Sequence, residues 1–65
     1  MSDIETLKAE IKKLSTQATQ AKMDLHDLSE ELPVNWETIP TVAQKCYDLH
    51  ARLSEARAQL KAAQA

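Results

Sequence analysis

The sequence contains no glycine, and only two prolines, one cysteine, one tryptophan and one tyrosine. Without glycine, no phosphate-cradling loop of the Gly-rich kind can form. A lone Cys46 excludes an intrachain disulfide and makes a reducing cytoplasm the natural compartment. No apolar run approaches transmembrane length, and the opening MSDIETLKAE lacks the apolar centre of a secretory signal. A strong charge imbalance is also missing. Charged residues make up 28% of the chain, yet the formal net charge is only −2, which argues against a general binder of nucleic acid or membrane surface. At 65 residues, the chain is too short to bury a substantial core on its own.

What is present is regular. Apolar residues fall at Ile4, Leu7, Ile11, Leu14, Ala18, Ala21, Leu25, Leu28 and Leu32, in steps that alternate between three and four. The same alternation returns at Ile39, Val42, Cys46, Leu49, Leu53, Ala56, Leu60 and Ala63. Such a/d spacing is the seam of a coiled coil, and the Lys, Glu, Gln and Ala that fill the gaps favour helix. The expected fold is all-α, an antiparallel two-helix coiled-coil hairpin over residues 1–65. Helix 1 should cover about 3–32, the turn 33–37, and helix 2 about 38–63.

Local signals fit these limits. Ser2 and Glu5 form a capping-box pattern at the first start. Pro33 biases Leu32 away from helical backbone and stops the first helix. Thr38 is expected to N-cap the second, with Pro40 in its first turn, where a missing N–H costs little. Along the hairpin edge, position g of helix 1 carries Glu10, Asp24 and Glu31, and position g of helix 2 carries Lys45 and Arg52. Opposite signs on facing edges should attract. A two-helix seam still leaves its side chains partly wet, so the hairpin is expected to pair with itself as a four-helix bundle or homodimer, or to dock on a larger protein.

The stretch ELPVNWETIP, residues 31–40, holds both prolines and the tryptophan. Trp36 has two readings: a plug that covers the seam end over Leu32 and Ile39, or an anchor for a partner, since tryptophan is enriched at binding hot spots. Residues 24–37 hold five acidic side chains and no Lys or Arg, so this end carries −5 and the remainder +3. Met23, His26, Asp27 and Glu30 share the face of helix 1 opposite the seam. Tyr47 lies off the seam of helix 2 near the same end. An apolar Met23 among outward charges points to a partner. Met23, His26, Asp27, Glu30, Trp36, Glu37 and Tyr47 are therefore the candidate partner-binding residues.

Catalytic signals are scarce. His26 with Glu30, and Cys46 with His50, are i,i+4 pairs, each offering two ligands on one helix face but no complete metal site. No nucleophile–base set is suggested, and a hairpin offers no enclosed pocket. The expectation is a non-enzymatic protein without a cofactor.

The stretch from Ala18 to Tyr47 resembles a known family through AKMDLHDL (Ala21 to Leu28), the LP of Leu32 and Pro33, the WE of Trp36 and Glu37, and the CY of Cys46 and Tyr47. It is similar to the Rop-like two-helix proteins encoded in nitrogen-fixation gene clusters, the nitrogenase-associated factors. The resemblance implies a cytoplasmic accessory role in nitrogen fixation. Its implied partner is a nitrogenase component such as the molybdenum–iron protein, or the cofactor-assembly machinery. It also implies that any metal bound through histidine would fall on His26. A competing class, the RNA-binding hairpin dimer, needs a concentrated basic face. Lys8, Lys12, Lys13, Lys22, Lys45, Arg52, Arg57 and Lys61 are instead dispersed along the chain.

Overall fold

The computed structural model describes residues 4–64. Two helices make up almost all of it: α1 (Ile4–Glu31) and α2 (Ile39–Gln64). They pack side by side as an antiparallel hairpin, a rod of 46 × 17 × 15 Å. Among the described residues there is no strand. The Ser2 half of the expected capping box lies outside them.

The a/d pattern accounts for what is buried. Leu14, Ala18, Leu53 and Ala56 form the core cluster, with Leu7, Ile11 and Leu49 partly buried against it. Ala18 and Ala21 are the most enclosed residues, at 1% and 2% exposure. Small side chains at these seam positions let the two backbones approach closely, and the leucines on either side close the gaps. Leu28 continues the seam towards the turn. The expected two-helix hairpin is the fold observed.

The turn solves a problem that the composition creates. α1 ends at Glu31, whose carbonyl accepts from the Val34 N–H at 3.0 Å. The Leu32–Pro33 peptide is cis, and Asn35 sits in the left-handed region at φ 61°, ψ 26°. That conformation usually falls to glycine. In a chain without glycine, asparagine is the residue that adopts it at least cost. The chain then makes one 3-10 turn, Trp36–Thr38, that runs directly into α2.

Thr38 does not cap α2 as expected. Its hydroxyl donates to the Asn35 carbonyl at 2.7 Å, and its N–H donates to the same carbonyl at 3.0 Å. The leading 3-10 turn makes the difference, because it places Thr38 inside continuous helical backbone, where a hydroxyl bonds back to the preceding turn. Pro40 does stand in the first turn of α2.

The expected edge attraction is also not realised as contact. Asp24, Lys45 and Arg52 border one groove between the helices, yet among the described residues no ion pair joins α1 to α2. Asp24 instead accepts from the Gln20 amide one turn earlier, at 3.0 Å. Long exposed side chains gain little by surrendering hydration and rotamer freedom to one partner, so the edges stay solvated.

Candidate functional site: the exposed turn

Every residue from Glu31 to Thr41 is exposed. Large apolar side chains are concentrated there, with Val34 at 61%, Trp36 at 60%, Leu32 at 40% and Ile39 at 37% exposure. The plug reading of Trp36 is therefore corrected. Most of the indole stands in solvent, and Leu32 and Ile39, which it would have covered, remain open. The geometry explains this: the 3-10 turn that begins at Trp36 joins the helices by a short path that leaves the indole outside the seam.

Below the turn on α1, Met23 is 53% exposed, on the outward face that also bears His26, Asp27 and Glu30. His26 Nε2 lies 3.8 Å from Glu30 Oε2, with both side chains well exposed. The Ser29 hydroxyl donates to the His26 carbonyl at 2.7 Å, which ties that hydroxyl to its own helix. On α2, Tyr47 is 71% exposed, and the neighbouring Gln44 amide donates to Asp48 at 2.8 Å.

The candidate residues thus fall into two groups. Trp36 and Glu37 share the turn with Leu32, Val34 and Ile39. Met23 and Tyr47 each stand eight residues from the near helix end, about 12 Å along the rod, on different helices. Sequence reasoning passed over Val34, Leu32 and Ile39 as surface. Val34 could have been recognised as an apolar residue outside the a/d pattern, next to Pro33. Leu32 and Ile39 are the last seam positions, with no further layer above them to bury them.

Among the described residues, no group of three His, Cys, Asp or Glu side chains could hold a metal ion. His26 has Glu30 beside it at 3.8 Å, and Cys46 is half-buried in the seam as a free thiol. The concave surfaces found are open grooves along the helices, one of them lined by Leu7, Glu10, Leu14, Gln17 and Ala56. An open groove cannot keep water from a reacting group. No helix of the described residues is long and apolar enough to cross a membrane.

A two-helix hairpin with an exposed apolar turn defines the structural class, a small helical module. The chain belongs to the Rop-like family, whose model matches residues 2–65. It is 62% identical over 61 residues to a UPF0437 protein of Azorhizobium caulinodans, covering 94% of this chain and 88% of the relative. It is 44% identical over 64 residues to the UPF0437 protein y4xE of Sinorhizobium fredii, covering 98% and 96% of the two chains. A relative from Frankia alni, 46% identical over 44 residues, is named as the UPF0437 protein in the nifX–nifW intergenic region. That match covers 68% of this chain and 54% of the relative. No solved structure matches the chain significantly.

Proposed function

We propose that this chain is a non-catalytic accessory protein of nitrogen fixation that docks on a nitrogenase component, the molybdenum–iron protein, through the turn half of its hairpin. It serves that protein in an immature, damaged or idle state. The observation that carries this reading is the exposed apolar cluster of Leu32, Val34, Trp36 and Ile39 at an acidic helix end. Burying such side chains within the chain would be favourable, and the hairpin leaves them out, as a surface reserved for a partner does. The intergenic nifX–nifW position in the name of the Frankia alni relative supports the nitrogen-fixation setting.

The division of labour follows from charge and area. Asp24, Asp27, Glu30, Glu31 and Glu37 steer the encounter towards a basic surface, an effect that weakens with salt. Trp36, Val34 and Met23 then supply the buried apolar contact that slows dissociation, because exposed charges alone hold little. His26 and Tyr47 border the contact and add polar rim.

Capture assays test this with the purified chain and both nitrogenase components, each in resting and inactivated states. The molybdenum–iron protein should be retained, and Trp36→Ala together with Met23→Ala should release it faster. Failure to retain either component in any state would sink the reading.

A further inference from the structure

The cations are dispersed in sequence but not in space. In the heptad register, Lys8 and Lys22 stand at e and Lys12 at b of α1, while Arg57 stands at e and Lys61 at b of α2. Positions e and b of the two helices flank one side of an antiparallel pair, the side away from the g edges. Five of the eight Lys and Arg side chains therefore share one side of the rod. Among the described residues at those positions, Glu5 is the one acid.

Four of the five form a cluster. Leu14 and Ala18 pack with Leu53 and Ala56, so residues 8–14 of α1 run beside residues 57–63 of α2. Lys8, Lys12, Arg57 and Lys61 thus fall within about 10 Å along the rod, in the half away from the turn. All four are exposed, and among the described residues no ion pair joins any of them to an acid. Each helix contributes one pair at i,i+4, which makes two short basic ladders side by side. The floor between the ladders is apolar: Ile11 and Leu60 are half-buried, and Ile4 is 36% exposed at its end.

We infer that this surface docks an acidic amphipathic helix of another protein, laid along the seam between the two ladders. Carboxylates at i,i+4 on such a helix repeat about every 6 Å, the spacing within each ladder. Its apolar stripe covers Ile11 and Leu60, and its acids meet the cations on either side. A nucleic acid strand would satisfy the cations alone and leave the apolar floor bare. Tyr47 is on this side but far towards the turn, so no base finds a ring beside the cluster. A long polyanion would also run on to the acidic turn end, where Glu30, Glu31 and Glu37 repel it. The surface is separate from the one proposed at the turn and does not depend on it. With both, the rod joins two proteins, one at each end.

Calorimetric titration of the full chain with a synthetic helical peptide of about 20 residues, leucine on one face and glutamate on its flanks, tests this. Binding at about 1–100 micromolar is expected for a small, charge-assisted interface. Glutamine in place of the peptide's glutamates should weaken it at least about 10-fold, and so should Lys8→Glu with Lys12→Glu. Lys13→Glu should change it less than about 2-fold, because Lys13 lines the opposite groove beside Glu10. Amide shifts on binding should gather at Ile11, Lys12, Arg57 and Leu60. Equal binding of the glutamine peptide, equal loss with Lys13→Glu, or no binding at 100-micromolar order would each overturn the inference. Tighter binding of a uridine oligonucleotide than of the peptide would assign the face to nucleic acid instead. Self-association that Lys8→Glu with Lys12→Glu abolishes would assign it to a second copy.

Discussion

The middle of the hairpin and its turn are built from similar residues and treated in opposite ways. Around Ala18 and Leu53, leucines and alanines pack into a closed seam, and the most enclosed side chains are small ones. At the turn, Trp36 and Val34 stand mostly in solvent, with Leu32 and Ile39 partly exposed beside them. The difference teaches that burial in this chain follows the seam's layers and fades where the layers end. Hydrophobicity in this chain has two uses, holding the helices together in one region and remaining available in the other.

The largest effect should come from breaking the closed region. Leu53→Ala and Leu14→Ala remove buried branched side chains that neighbouring alanines cannot replace, at a cost of about 2–5 kcal/mol each. In a chain this small, such a loss is a large share of total stability, and helical circular dichroism should melt well below the wild-type temperature. An unchanged melt would mean that the seam does not hold the fold.

Trp36→Ala should do the reverse. It should alter stability by less than about 1 kcal/mol, since the indole is 60% exposed, while weakening partner binding by about 2 kcal/mol, roughly 30-fold. Thermal melting beside binding kinetics separates the two effects. A variant that loses helicity and binding together would place Trp36 with the core after all.

Asn35 lies between these regimes. Asn35→Val forces a β-branched residue to φ 61° and should cost about 1–2 kcal/mol, whereas Asn35→Gly should be neutral or slightly stabilising. Equal melting of the two variants would show that the left-handed turn is not required. The smallest effect is expected from His26→Gln with His50→Gln. These exposed side chains should leave melting and metal content unchanged, as checked by calorimetry and elemental analysis.

The hairpin was legible because one physical rule wrote most of it. Strict three-four spacing from Ile4 to Leu32 and from Ile39 to Ala63 leaves few alternatives to two amphipathic helices, and a short Pro-bearing joint makes them antiparallel. The outward position of Met23 was equally readable, since helical periodicity alone sets it. The turn was less so. Whether Trp36 folds back over the seam depends on the path of Pro33 to Thr38, and neither the 3-10 turn nor the left-handed Asn35 is written in a periodic pattern. Thr38 misled for the same reason, because a threonine before a helix donates or caps according to where the first helical turn begins. The edge charges could be assigned to g positions, but whether they pair within a chain or across copies depends on side-chain reach that spacing does not give.

Hydrogen–deuterium exchange of the whole chain, alone and with the molybdenum–iron protein, tests most directly whether the turn half is the docking surface. New protection should concentrate in residues 23–47 and peak around Leu32–Ile39, with little change near Lys8, Lys12 and Lys61. Protection centred on the free ends, or none on addition of the protein, would contradict the account.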